Sequence, residues 1–335
     1  MNKSKIIFDK IAKKISLSPS ESYNLAEKIV NQEYNNNQIS SLLTFLFIKG
    51  ESHEEIYSFI KILRKKMKKV NLSGKLMDTC GTGGDNKNSF NISTATSIVL
   101  ASCGVQIAKH GNRSITSKSG SFDVLESLGV KIDFDKNKTK IFFKKNNICF
   151  LFAPLYHSIL KKFAEIRSSL PFRTIFNLLG PLLNPTDLTY QLLGVSDEKI
   201  LDTHAKCIAK LKLKKAWVVY NLNGFDELTT TSKNLIIEIK NGKIGKKRIL
   251  DPQEFGFKLR SEKELRGGSS EENAFIMKRV FEGETGAIRD NIVFNSAAGL
   301  LISEKVKNIK EGIKEVESKI DNGLVNKKLS SLIQK

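Results

Sequence analysis

The sequence predicts an α/β fold: a small N-terminal helical domain, then a larger domain with a mostly parallel sheet flanked by helices. Two observations carry this reading. Residues up to about 70 show only helical signals, and from about Leu72 short apolar runs alternate with helical stretches. Such alternation is how strands joined by helical crossovers read in a sequence. Hydrophobic residues at 40% and charged residues at 27% mark an ordinary globular chain able to bury a sizeable core.

In the first domain, Ser18-Pro19-Ser20-Glu21 gives a cap residue, a proline at the first helical position and a glutamate at the third. Ile39, Leu42, Leu43, Leu46 and Phe47 then recur at helical spacing. Ser52 and Glu55 form a second capping box ahead of Ile56, Phe59, Ile60, Leu63 and Met67. The basic N-terminus alternates apolar residues with Lys and Asp, which reads as an amphipathic helix and not as a signal peptide. Beyond it, 105–108, 149–153, 190–195 and 216–220 look like buried strands, with helices expected over 93–102, 122–128, 158–170 and 199–211. A strand over 235–240, the turn Asn241-Gly242 and helices over 271–282, 289–304 and 309–324 complete the chain. Low complexity is confined to lysine-rich loops. The expected division is 1–70 as the helical domain, joined by helices from about 165–185, and 71–335 as the α/β domain.

Bulk properties narrow the function. A formal net charge of +20 suits a polyanion or a phosphorylated substrate. The basic residues are scattered, however, not clustered and interleaved with aromatics, so nucleic acid is not the expected partner. No apolar run approaches the length that spans a bilayer. Cys80, Cys103, Cys149 and Cys207 are widely spaced, without CxxC pairs or a histidine cluster, which fits a reducing cytoplasm and excludes a zinc site.

The strongest signal is DTCGTGGDNKNSFNIST over 78–94. Gly81, Gly83 and Gly84 let backbone N–H groups wrap an anion. The loop feeds a helix whose N-terminus near Ile92-Ser93 offers amides and a positive dipole end, with hydroxyls from Ser93 and Thr94. It is neither a Walker loop nor a GxGxxG fingerprint. A second polar loop, KHGNRSITSKSGSFDVLESLG over 109–129, brings Lys109 and Arg113 to the end of an expected strand, where ligands of open α/β sheets gather. Ser114, Thr116, Ser117, Ser119 and Ser121 add hydroxyls, and Gly120 allows close approach.

These segments resemble those of the anthranilate phosphoribosyltransferases. FAPLYHS (152–158), RTIFNLLGPLLNP (173–185), NGFDEL (223–228) and ENAFIMKRVFEG (272–283) extend the likeness over nearly the whole chain. The resemblance implies the overall fold of the pyrimidine-type nucleoside phosphorylases, a homodimer, and an active site between the two domains. It implies transfer of phosphoribosyl from phosphoribosyl pyrophosphate to anthranilate in tryptophan synthesis. The donor would be held by Gly81, Gly84, Asp85, Ser89, Asn91, Ser93, Thr94, Lys109 and Ser121, with Gly81 also lining the anthranilate region, and Ile92, His110, Gly111, Arg113, Ser114 and Ser117 would be further substrate-binding residues. Ser93, Asp226 and Glu227 would bind magnesium, and Asn112 and Arg167 would meet anthranilate, with Lys109, Arg167 and Asn112 carrying catalysis. Read alone, Asp226-Glu227 is equally a solvated surface pair, and Arg167 a surface arginine in a helix. No general base is assigned to His110 or His157. Pro171 and Phe172 depart from the family pattern and are expected to stiffen the hinge before Arg173. The rival readings are a nucleic-acid-binding paralogue without transferase activity and a pyrimidine nucleoside phosphorylase, whose glycine pattern differs.

Overall fold

A computed structural model of the chain describes residues 3–114 and 118–333. It opens with α1 (Lys3–Ala12), α2 (Pro19–Val30), α3 (Asn36–Lys49) and α4 (His53–Lys66). Helices α2 and α4 start at the expected boxes: Glu21 N–H donates to Ser18 Oγ at 3.3 Å, and Glu21 accepts from Ser18 N–H at 2.9 Å. The start of α3 was not foreseen. Asn35 and Gln38 do there what Ser and Glu do in the other boxes.

Next come β1 (Leu76–Gly81), α5 (Ile92–Ser102), β2 (Gln106–Gly111), α6 (Ser121–Ser127) and α7 (Lys136–Asn146). Helix α7 is a lysine-rich segment, not a loop. Asp135 caps it by accepting from Asn137 and Lys138 N–H groups at 2.8 Å, and Thr139, Phe142, Phe143 and Asn146 bury one face. So few apolar residues among so many lysines hide the helical period. The chain continues through β3 (Ile148–Phe152), α8 (Ala153–Tyr156), α9 (Ala164–Ser169), α10 (Ile175–Leu178), β4 (Tyr190–Gly194), α11 (Leu201–Lys210) and β5 (Lys215–Asn221). The helix expected over 158–170 is divided, because Ser158–Phe163 is a 3-10 turn ahead of α9. Leu170 then turns extended, as the residue before a proline prefers. The last elements are β6 (Asn234–Lys240), β7 (Lys243–Ile244), β8 (Arg248–Leu250), α12 (Ser270–Phe281), α13 (Ala287–Ile302), α14 (Ile309–Asp321) and α15 (Leu324–Leu332). Gly323, in the left-handed region at φ 68°, separates α14 from a helix the sequence reading missed.

The sheet runs β3-β2-β1-β4-β5-β6-β7, with β8 also on β6. Strands β3 to β5 are parallel, and β6 is antiparallel to β5. Winding proceeds from β1 through β2 to β3 and then returns to β4 on the other side of β1. The crevice beyond the carboxyl ends of β1 and β4 is therefore the switch point where such sheets bind ligands. There Gly81 and Gly194 are register partners.

Two apolar cores lie on the two faces of the sheet. One gathers α5, β2, β3 and α12–α15. The other joins α1–α4 to Phe163, Ile166, residues 175–183, α11, and Leu193, Val195, Ala216 and Val218 of the sheet. The helical domain thus shares its core with a sheet face. Polar contacts reinforce that seam: Lys210 Nζ donates to Glu54 at 2.7 Å, Arg64 to the Asn184 carbonyl at 3.2 Å, and Lys68 N–H to the Tyr156 carbonyl at 2.9 Å. Among the described residues no helix is long and apolar enough to cross a membrane.

A buried polar bridge ties the ends of β1 and β2 together. Asn184 Nδ2 donates to Asp78 Oδ2 and to the Ala108 carbonyl, each at 2.8 Å, and His110 N–H donates to Asp78 Oδ1 at 3.2 Å. Burial raises the Asp78 pKa, so its donors matter. Asn184→Ala should lower unfolding free energy by about 2 kcal/mol, read by urea unfolding. Nearby, the His110 and His157 rings meet edge to face with centroids 5.2 Å apart. Burial holds both neutral, pushing His110 down to about 3 and His157 to about 4. Since the unfolded chain protonates them near 6.5, the fold loses stability as pH drops below that value, by about 2 kcal/mol per imidazole at pH 5. Buried carboxylates with raised pKa act in the opposite direction, so a comparison with His157→Gln isolates one imidazole. That variant should lose about 2 kcal/mol less than the parent between pH 7 and pH 5 in urea unfolding.

Candidate active site

The loop after β1 and the segment after β5 meet over the crevice. Asp226 Oδ2 accepts from Gly83 N–H at 2.7 Å, and Glu227 Oε1 accepts from Ser93 N–H at 2.9 Å in the first turn of α5. The acidic pair is therefore part of the site and not a solvated loop. Its position explains two glycines. A Cβ on Gly81 would lie 2.1 Å from Asp226 Oδ2, and one on Gly194 would lie 1.5 Å from the Asp226 carbonyl oxygen. The sequence reading credited Gly81 to anion wrapping, whereas here it makes room for Asp226.

Arg173, given no role from the sequence, holds the same loop from the other side. Its guanidinium donates to the Thr82 carbonyl at 2.9 Å, to Ser196 Oγ at 2.8 Å and to the Gly84 carbonyl at 3.4 Å. Gly84 has φ 70°, and a Cβ there would come within 2.6 Å of Arg173 Cζ. Arg173 is also a counter-charge for Asp85 and Asp226. Burial nevertheless dominates the acids: Asp85 is raised, Asp226 is pushed up to about 7, and Glu227 is pushed well up by burial and by Asp226 beside it.

Lys109, at the end of β2, is 1% exposed. Its Nζ donates to the Thr79 carbonyl at 2.7 Å and reaches Ser93 Oγ at 3.5 Å. A cation thus lies at the N-terminal end of α5, beside the residue whose backbone N–H bonds Glu227. Thr94 is buried behind it with Oγ1 unpartnered, and Ile92 belongs to the core. The cap residue of α5 is Asn91, whose side chain does not cap the helix. It accepts instead from Asn273 Nδ2 of α12 at 2.8 Å and donates to the Ser119 carbonyl at 3.3 Å. Ser89 pairs as an isolated bridge with Arg266, and Phe90 N–H donates to the Leu265 carbonyl at 2.9 Å. This bracing by 265–273 had no sequence signal beyond the family likeness of ENAFIMKRVFEG.

The second loop is partly committed to itself. Arg113 forms a two-pronged pair with Glu126, at 3.0 and 2.7 Å, and lies over the Phe152 ring. It is aimed at α6, not at the first loop. Ser114 N–H donates to Asp123, and Ser121 Oγ to the Asn112 carbonyl at 3.2 Å. Asn112 is exposed just beyond Gly111, the last residue of β2. Ser117 lies outside the described residues. His110 is buried inward, with Nδ1 3.2 Å from the Gly180 carbonyl oxygen. Arg167, on α9, is half-buried without a hydrogen bond or ion pair among the described residues, and burial lowers its pKa. Among the described residues no hydrogen bond links it to the loops.

Among the described residues, two buried oxygens in this group, Glu227 Oε2 and Asp85 Oδ2, lack hydrogen-bond partners. Hard carboxylate oxygens, raised in pKa and beside the Ser93 hydroxyl, fit a divalent cation such as Mg2+. Among the described residues no three His, Cys, Asp or Glu side chains form a ready metal shell. Mg2+ does not require one, because it is held by one or two carboxylates together with substrate phosphates and water. A concavity of about 820 Å3 is a separate groove lined by Lys61, Arg64, Lys65, Lys68, Lys69 and Lys136 among others. It contains none of these site residues and no acid.

Residues 73–325 match the family model described as glycosyl transferase family, a/b domain, and residues 5–67 match its helical bundle domain. Anthranilate phosphoribosyltransferase of Petrotoga mobilis is 43% identical over 326 residues, 97% of this chain and 94% of that protein. The crystal structure of the Thermus thermophilus anthranilate phosphoribosyltransferase superposes with TM-score 0.88 at 31% identity, covering 98% of this chain and 99% of that one. The Saccharomyces cerevisiae enzyme in complex with PRPP and Mg gives TM-score 0.89 at 28% identity, with 98% and 96% coverage. With the likeness running through both the helical and the α/β parts, the chain belongs to the anthranilate phosphoribosyltransferase family.

Proposed function

We propose that this chain transfers the phosphoribosyl group of 5-phosphoribosyl 1-pyrophosphate to anthranilate, giving N-(5-phosphoribosyl)anthranilate and pyrophosphate. The observation that carries the reading is the juxtaposition at the crevice. A buried ammonium, Lys109, reaches the Ser93 hydroxyl, and the Ser93 backbone N–H in the first turn of α5 donates to Glu227 of the carboxylate group. Such a site suits a substrate that is an anion accompanied by a cation.

The reaction is a displacement at the anomeric carbon through an oxocarbenium-like transition state. The amino nitrogen forms the new C–N bond, the C–O bond to pyrophosphate breaks with its electron pair leaving on oxygen, and the amine proton passes to solvent. The aromatic amine is neutral near pH 7, so no base has to act first. Lys109 and the α5 amides stabilise charge on the leaving group. Gly81, Gly84, Asp85, Ser89, Asn91, Ile92, Thr94, His110 and Gly111 shape the donor site, with Ser114, Ser117, Ser121 and Arg113 at its edge. Asn112 and Arg167 orient anthranilate, the unpaired guanidinium matching a carboxylate in two-pronged geometry. Ser93, Asp226 and Glu227 would hold Mg2+, which when bound offsets charge on the pyrophosphate oxygens. A homodimer in the cytoplasm goes with this reading, and the four cysteines are free thiols.

Mixing the protein with anthranilate, phosphoribosyl pyrophosphate and Mg2+ should extinguish anthranilate fluorescence only when all are present. Absence of consumption by folded protein would overturn the assignment, and salt-dependent binding of single-stranded DNA would then favour the nucleic-acid reading. Lys109→Met, which keeps the aliphatic stem, should lower kcat roughly a hundredfold. Near-parental turnover would remove Lys109 from the mechanism. Arg167→Lys should raise the anthranilate KM about tenfold and leave the donor KM unchanged, in steady-state kinetics.

A further inference from the structure

We infer that Phe172 and Arg173 form a two-sided link through which the helical domain sets the position of the donor loop, with Arg173 as a positioning residue for that loop. The inference rests on the reading above for its kinetic consequence, but its structural content does not.

The two residues are consecutive and anchored in opposite directions. The Phe172 ring stacks on Phe47 of α3, with centroids 4.6 Å apart and planes 18° apart. Arg173 grips the Thr82 carbonyl, the Gly84 carbonyl and Ser196 Oγ. One peptide unit therefore separates an anchor on the helical domain from a clasp on the loop after β1. The lever is short and stiff. Pro171 restricts the backbone before it, and Thr174 after it is 1% exposed and starts α10 with its N–H donating to Asn177 Oδ1 at 3.0 Å. The loop, by contrast, has little intrinsic rigidity: Gly83, Gly84, Asn86 and Asn88 all have positive φ, and Gly83 and Gly84 are exposed. A flat guanidinium can bridge two carbonyls and a hydroxyl at once, which a lysine ammonium on a flexible stem cannot. The same guanidinium counters Asp85 and Asp226, so shifting it would disturb the loop's shape and charge together.

The test compares the parent with Arg173→Lys, Phe172→Ala and Phe172→Tyr, using full-length chain without ligand. Amide hydrogen exchange read by mass spectrometry over residues 82–86 is the primary measurement. Arg173→Lys and Phe172→Ala should each speed exchange there about tenfold at unchanged melting temperature, and Phe172→Tyr should match the parent. The donor KM should rise by a similar factor while kcat stays within about threefold. Phe47→Ala should act like Phe172→Ala, and the double variant should add little to either. Unchanged loop exchange in Phe172→Ala, with a response in Arg173→Lys, would overturn the link. Unchanged exchange in Arg173→Lys would overturn the clasp. Should the parent fail to transfer phosphoribosyl, exchange still decides this inference, and the function alone falls.

Discussion

Charge buried at the carboxyl end of β1 organises the molecule around it. Asp78 lies beneath the loop, Asp85, Asp226 and Glu227 beside it, and Lys109 and Arg173 are the cations set against them. Carboxylates this close and this dry are tolerated only where each finds a donor or a cation. The chain supplies backbone amides from Gly83, Ser93 and His110 and the amide of Asn184. Each donor fixes a different element, so satisfying the acids also fixes the ends of β1 and β2, the first turn of α5 and the segment before β4. Site and scaffold are the same set of hydrogen bonds.

The second constraint is the core shared by α1–α4 and one face of the sheet. It ties the helical domain to the sheet through buried apolar contact. The seam around α4 and α11 is stapled by Glu54, Lys210 and Arg64, while 170–174 meets α3 through one aromatic stack.

Much of this was legible in the sequence. The capping boxes at Ser18 and Ser52, the alternation of strands and helices, and the run from Asp78 to Thr94 each stated a local rule that the fold obeys. What was not legible depended on distance. Nothing local to Gly81 announces that Asp226, far along the chain, fills the space of its missing side chain. Nothing local to Arg173 announces its hold on Thr82. Gly81 and Gly84 thus have a reason within the chain, room for Asp226 and Arg173, beside the ligand role expected of them. Helix α7 was missed for another cause: its buried face is small, and its start depends on one aspartate. Arg113, a cation at a strand end, has a partner within the chain that its sequence neighbours do not announce, Glu126.

The shared core has a consequence for how divisible the chain is. The sequence invites a cut near residue 70, and the helical bundle and the α/β part match separate family models. A fragment starting there would nevertheless bare the apolar side of α11 together with Leu193, Val195, Ala216 and Val218. A patch of that kind on a sheet promotes association with other chains. Ancestry and nomenclature count two modules; solvent would count one.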